Sequence, residues 1–475
     1  MSTTPSPTDN PPPPTDDALP EGIDVDELRD EILTKVGQYY ALTHGSPKPF
    51  KPGKTLVQYA GRVFDGEDMK LLVDSSLRFF LTAGTYARRL EKKLAKYVGV
   101  KHASLVNSGS SANLVAFSTL TSPRLGDRRI LPGDEVITVA AGFPTTVAPI
   151  IQNRAVPVFV DVLAETSNID PSMLEAARSD RTKAVFVAHT LGNPFDIDAV
   201  LEFCQKHDLW LVEDNCDALG TTYDSVVAGR TGLTGSFGHL ATSSFYPAHH
   251  ITTGEGGAVY TNDDELKRIA DSFRDWGRDC WCLPAQENTC GMRFEQQFGI
   301  LPFGYDHKYV YSHFGYNLKL TDMQAAVGVS QMDKVDDFVE ARRHNYRELT
   351  AHLERYAHVL QLPRATPKSD PSWFGYESLV REDAPFTRDE IVAHLESEKI
   401  QTRMLFAGNL LAHPCFDEMR ESGEGYRVVG ELTNTDRIMN TAFIVGVYPG
   451  IDAERLDHMK AAFDRFMAKV GVEPS

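Results

Sequence analysis

Two stretches of this chain carry side chains whose types and spacing could do chemistry. Ser243 to Val259 (SSFYPAHHITTGEGGAV) sets two adjacent imidazoles, His249 and His250, in a loop of small and polar residues. An imidazole titrates near neutrality and can take or give a proton there, while alternation along an extended loop would aim only one of the two inward. Asp279 to Gly291 (DCWCLPAQENTCG) places Cys280, Cys282 and Cys290 at C-x-C-x7-C spacing, with Cys216 as a fourth candidate. Four thiolates suit zinc or a 2Fe-2S cluster, so spacing alone leaves the metal open. Cys204 and Cys415 stand alone.

Other residues fit a phosphate and a ring. The turn Asn107 to Leu114 (NSGSSANL) opens a helical stretch, so the amides of Gly109 and Ser110, and a hydroxyl, would face a phosphate at the positive end of that helix. A serine-rich helix cap looks the same. Asp214 ends the apolar run LWLVEDN and can keep a pyridine nitrogen protonated. Ser244 offers another phosphate hydroxyl, and Phe143 in AAGFPTT could stack on an aromatic ring, although taken singly it is a core residue type. Cys216 follows Asp214 by two residues, so their Cα atoms lie within roughly 7 Å, and a metal on Cys216 would sit near that ring.

The elements that must position these groups follow from periodicity. Between about Ala103 and Val259, short β-branched runs (EVITVAA, VPVFVDV, KAVFVAHT, LWLVEDN) alternate with helical segments. That pattern implies an α/β fold with a mostly parallel sheet covered on both faces and ligands at the carboxyl ends of its strands. After Tyr316 a long helical segment suits a bridge between domains, and from about Leu362 the chain reads as a smaller α+β unit. DELRDEILTKVGQYYALTH reads as an amphipathic helix that packs on the body or on a second subunit. The proline-rich residues 1–22 read as a disordered tail, 23–340 as a helix plus a large cofactor-binding domain with the cysteine insert, and 341–475 as a small domain.

With 475 residues, 42% of them hydrophobic, the chain can bury a large core. Its net charge of −18 argues against nucleic acid or an anionic membrane as partner. No secretory signal and no run of eighteen apolar residues is present, from which a cytoplasmic location is expected.

From KPFKPGKT through NSGSSANL, AAGFPTT, AHTLGNPFD, EDNCDALG, SFYPAHHITTGEGG, GYNLKLTDMQAA and RMLFAGNLL to FIVGVYPG, the chain resembles the DegT-type sugar aminotransferases of the fold-type I pyridoxal-phosphate enzymes. Within them it resembles the CDP-4-keto-6-deoxy-D-glucose 3-dehydrase family. The resemblance implies a large domain with a seven-stranded type of sheet and a smaller C-terminal domain. It implies pyridoxamine or pyridoxal 5'-phosphate, and a 2Fe-2S cluster on Cys216, Cys280, Cys282 and Cys290. His249 stands where the aminotransferases carry their lysine, and an imidazole cannot bond covalently to the cofactor aldehyde. His249 would instead act as the base in dehydration at C3 of a nucleoside-diphosphate 4-keto-6-deoxyhexose.

Arg403 and Asn409 resemble the family's substrate-side segment, although a solvated surface arginine reads the same way, and Asn317 would cross a homodimer boundary to the neighbouring phosphate. Electrons would come from a separate NAD(P)H-dependent flavin/iron-sulfur reductase or a ferredoxin-type donor, since no G-x-G-x-x-G follows a strand here. TTYDSVVAGRTGLTG reads as a surface-loop insertion. The rivals are an aminotransferase, which needs a lysine that is absent between Arg230 and Lys267, a cluster-free dehydrase that recycles its cofactor with glutamate, and a non-catalytic metal-binding homologue.

Overall fold

The structure is a computed structural model that describes residues 22, 24–46, 49–282 and 288–475. The expected tail, residues 1–22, therefore lies almost entirely outside the described residues.

The β-branched runs form strands where their periodicity places them. Glu135–Val139, Val156–Val160 and Trp210–Asp214 join an eight-stranded sheet, and most of their residues are buried. Continuous burial is what a sheet covered on both faces requires. The order across the sheet is His102–Val106, Gly257–Thr261, Leu240–Ser244, Trp210–Asp214, Thr182–Ala188, Glu135–Val139, Val156–Val160 and Arg427–Val428. Only Gly257–Thr261 runs against the others. The expected seven strands gain an eighth from the C-terminal region, where Arg427 pairs with Val158 and its guanidinium reaches the buried Glu135 carboxylate at 2.7 Å.

A second, four-stranded sheet orders Leu360–Gln361, Gly375–Val380, Ala442–Gly446 and Thr402–Arg403. It packs on the helices Val335–Leu353 and Ala453–Lys469 through Tyr376, Phe443, Leu349, Met459 and Phe463. Val57 belongs to the same core and bridges to Ile400, so the N-terminal segment ties into this unit.

Two local expectations change, and a third is met with little burial. The helical stretch after Tyr316 is two helices, Asp322–Gln331 and Val335–Leu353, broken by a short turn. The supposed loop insertion after Cys216 is a hairpin, Thr222–Ser225 with Arg230–Leu233, and Ser369–Asp370 adds a third strand. Its turn is held by Asp198, which accepts from Ser225 Oγ at 2.5 Å and from the amides of Val226 and Val227. The helix Val25–Thr43 buries no residue, yet it lies on the body: Arg29 pairs with Asp74 of the neighbouring helix Gly66–Arg78, and Tyr40 donates to the Phe64 carbonyl. Among the described residues, no helix is long and apolar enough to cross a membrane.

Candidate active site

The strand Trp210–Asp214 delivers Asp214 to the carboxyl end of the sheet, where its carboxylate is buried. One oxygen accepts from Asn113 Nδ2 at 2.8 Å and Thr146 Oγ1 at 2.7 Å, and the other from the Cys216 amide at 3.2 Å. These donors, with the Thr242 hydroxyl at 3.5 Å, fix the carboxylate in position.

The helix Gly109–Leu120 begins beside it, and the Ser108 hydroxyl accepts from the Ser111 amide as its cap. Gly109 is obligatory for packing: a Cβ there would lie 2.4 Å from Ser244 Cβ. The close approach brings the Ser244 hydroxyl to the helix N-terminus, with Ser110 exposed beside it. Phe143 is 51% exposed, its ring edge-on to Phe406 at 5.7 Å, which leaves a face open for a ring. Small donors at a positive helix end, a carboxylate and an open aromatic face fit a phosphorylated pyridine cofactor.

His249 enters this pocket from the loop after Ser244. Its side chain is 15% exposed, and Nδ1 lies 3.5 Å from an oxygen of Asp217. The expected alternation of the two imidazoles fails, because His250 is buried too. The two differ in their contacts: His250 Nε2 bonds the Ser372 carbonyl at 2.8 Å, which occupies it structurally. Burial, followed by the Arg342 charge, lowers the His249 pKa to about 4, rather than leaving it near neutrality; Asp214 opposes that shift. Burial and then the negative charge of Asp214 raise the Asp217 carboxyl to about 8. Near pH 7 the pair is thus a neutral acid beside a neutral imidazole, not an ion pair.

Asp217 is the site residue that sequence reasoning missed, although it stands three positions after Asp214. Tyr59, buried with its hydroxyl pKa raised first by burial and then by Asp217, and Arg342 are two more. Arg403 lies at the rim, its guanidinium 5.6 Å from the Tyr59 ring. Asn409 is turned to local structure, accepting from the Leu411 amide and donating to Asp436 at 2.7 Å. Asn317 is exposed, pairs with Asp275, and accepts from Lys319; these contacts lie outside the pocket of its own chain.

The four cysteines do not gather. Cys280, Cys282 and Cys290 line one small depression with His307, whose Nδ1 is 3.7 Å from Cys290 Sγ. Cys216 is instead beside Asp214 and Thr242, its thiol pKa pushed well up by burial and then by Asp214. The two places are at opposite ends of the Gly109–Leu120 helix: Asn113 touches Asp214, whereas Arg124, beyond the far end, lies 4.0 Å from Asp279. A helix of that length spans about 18 Å. Among the described residues, no three His, Cys, Asp or Glu side chains stand ready to hold a metal ion. Residues 283–287 of the cysteine run lie outside the described residues.

Residues 64–464 match the family described as DegT/DnrJ/EryC1/StrS aminotransferases. A lipopolysaccharide biosynthesis protein, RfbH, of Salmonella typhimurium is 53% identical across 92% of this chain and 98% of its own. The dTDP-4-dehydro-2,6-dideoxy-D-glucose 3-dehydratase of Saccharopolyspora spinosa is 51% identical across 94% of this chain and 93% of its own. A mutant of GDP-4-keto-6-deoxymannose-3-dehydratase with bound GDP-perosamine superposes with a TM-score of 0.73 at 27% identity, covering 85% of this chain and 99% of that one. The same enzyme with a trapped PLP-glutamate geminal diamine matches at 0.73 and 26%, with the same coverage. The fold is that of the fold-type I pyridoxal-phosphate enzymes, and the chain belongs to the DegT/DnrJ/EryC1/StrS aminotransferase family.

Proposed function

We propose that this protein is a pyridoxamine/pyridoxal-phosphate-dependent 3-dehydratase acting on a nucleoside-diphosphate 4-keto-6-deoxyhexose. The observation that carries the reading is His249: a buried, neutral imidazole in the loop beside Asp214, in a segment with no lysine between Arg230 and Lys267. Relatives named as 3-dehydratases of such sugars support the substrate class.

When bound, the cofactor supplies an amine that bonds the sugar carbonyl and a ring that withdraws electrons. Asp214 holds the ring nitrogen protonated. Gly109, Ser110 and Ser244 bind the phosphate, and Phe143 covers the ring. His249, unprotonated at neutral pH, removes a proton near the reacting carbon so that the C3 hydroxyl can leave. Asp217 sits on its Nδ1 side and, once ionised, would accept Nδ1–H and leave Nε2 free as the base.

A finer reading concerns the thiols. Cys280, Cys282 and Cys290 would furnish three of the four ligands of a 2Fe-2S centre, which would receive electrons from an NAD(P)H-dependent flavin/iron-sulfur reductase or a ferredoxin-type donor. Their shared depression supports it. A four-thiolate set that includes Cys216 does not fit the arrangement of this chain, and no step above depends on it.

The test of the main reading is His249→Lys. A lysine in that place should bond the cofactor aldehyde and give visible absorbance with added pyridoxal phosphate, while water elimination from a panel of nucleotide 4-keto sugars stops. A variant that still eliminates water would refute the base assignment.

A further inference from the structure

Among the described residues Arg342 is the largest fully buried side chain, 1% exposed in the middle of the helix Val335–Leu353. A buried guanidinium is ordinarily matched by a carboxylate, because removing a charge from water costs several kcal/mol without one. The described contacts of Arg342 are carbonyls instead: Nη1 donates to Trp373 O at 3.2 Å and Phe374 O at 3.3 Å, and Nη2 to His249 O at 3.2 Å and Ala248 O at 3.5 Å. Nε has no partner. Two of these carbonyls belong to the candidate base loop, and two to the segment entering the strand Gly375–Val380.

The Phe374 ring lies against both groups, 5.1 Å from the His249 ring and 5.9 Å from the guanidinium carbon. Arg342 therefore clamps the loop to the second sheet and places a fixed positive charge behind the imidazole. A charge that serves structure alone would be expensive at this position, where a neutral donor could hold carbonyls equally well.

We propose that Arg342 is a positioning residue for His249: it fixes the loop carbonyls that orient the imidazole, and its charge disfavours a second positive charge on that ring. The proposal rests on the reading of His249 as the base. The charged and titratable groups around His249 are Asp214 at the end of the strand Trp210–Asp214 and Asp217 after it, His250 on the loop, Arg342 on the helix with Arg343 acting on His250, and Arg62 and Tyr59 from the N-terminal segment. Asp214 opposes Arg342, and burial reinforces it. The imidazole of the free enzyme is thereby kept ready to accept a proton well below neutral pH.

Two substitutions separate the clamp from the charge. Arg342→Gln keeps amide donors and removes the charge, whereas Arg342→Lys keeps the charge and removes the fork. His249 is followed in the full-length cofactor-loaded protein by its ring 15N shifts against pH, assigned by difference with His249→Asn, so the readout does not need turnover. The expected result is an upward movement of the His249 titration by about one unit or more in Arg342→Gln, with Arg342→Lys staying within about half a unit of the parent. The acid limb of kcat/KM should move in parallel.

Equal titration of His249 in the parent and Arg342→Gln would overturn the proposal while leaving the base assignment standing. Should the Gln variant not fold, Arg342→Met, which removes the charge at similar volume, takes its place: an upward movement of the His249 titration supports the proposal, and a titration unchanged from the parent refutes it. Parent-like turnover by His249→Asn would instead overturn the base assignment, and with it any catalytic meaning of the clamp.

Discussion

Asp217→Asn should make the apo-protein more stable and a poorer enzyme. Asp217, its side chain 13% exposed, lies beside the buried carboxylate of Asp214, and its pKa is raised from 3.8 to about 8, by burial first and by that neighbour next. A folded pKa above the unfolded one means that the group's contribution to stability is complete below about pH 4 and is lost as the pH climbs toward 8. At pH 7 the unfolded carboxyl has been ionised over about three units while the folded one still holds its proton. At about 1.4 kcal/mol per unit the cost is about 4 kcal/mol, an upper figure because buried sites relax.

Asparagine is nearly the same shape, can accept the Leu191 amide as Asp217 does, and has no such titration. Urea unfolding of the full-length apo-protein and of Asp217→Asn, each at pH 4.5, 6 and 7.5, would test it. The two should nearly coincide at the lowest pH, and the variant should gain steadily above it. A difference that stays constant with pH would refute the coupling of Asp217 to Asp214, whatever its sign.

Gly109→Ala puts a Cβ 2.4 Å from Ser244 Cβ and 3.1 Å from its Cα, so the helix N-terminus and the strand end must part; affinity for pyridoxal phosphate, read by fluorescence titration, should fall about tenfold or more, the effect of about 1.4 kcal/mol. Cys282→Ala, which removes a thiol that burial would raise but that hydrogen bonds from Thr289, the Cys290 amide and Cys280 bring down to about 7, should abolish bound iron and acid-labile sulfide and leave cofactor binding unchanged; full iron content in that variant would refute the metal role of the cysteine run.

Much of the fold was legible because its signals are local. Glu135–Val139 and Trp210–Asp214 are apolar runs bounded by polar residues, and a run of that kind can only be a doubly covered strand or a buried helix. Arg427–Val428 carries no such signal, since two residues become a strand only because Arg427 finds Val158 and Glu135 across the fold. Asp214 and Gly109 were legible as candidate-site residues because each marks the end of an element, where ligands collect. Cys216 was misplaced relative to the other thiols because a spacing in sequence counts residues and takes no account of the helix that separates them. Arg342 left no trace at all: its described partners are main-chain carbonyls, which every residue type possesses, so no partner type could be sought in the sequence.

The buried charges of the site also explain why Asp217 belongs in it despite its cost. In the apo-protein Asp217 and His249 are both neutral near pH 7. Ionising Asp217 would bury a charge beside Asp214, and burial first and that neighbour next are what raise its pKa. If Asp214 held the cationic nitrogen of a bound ring, the second cause of that raised value would be offset while burial, the first, stayed. Asp217 would then ionise more readily, accept Nδ1–H from His249 and leave Nε2 as the free base. On this argument the second carboxylate is silent until a ring cation arrives, and the charge that activates the base is the one the first carboxylate was placed to hold.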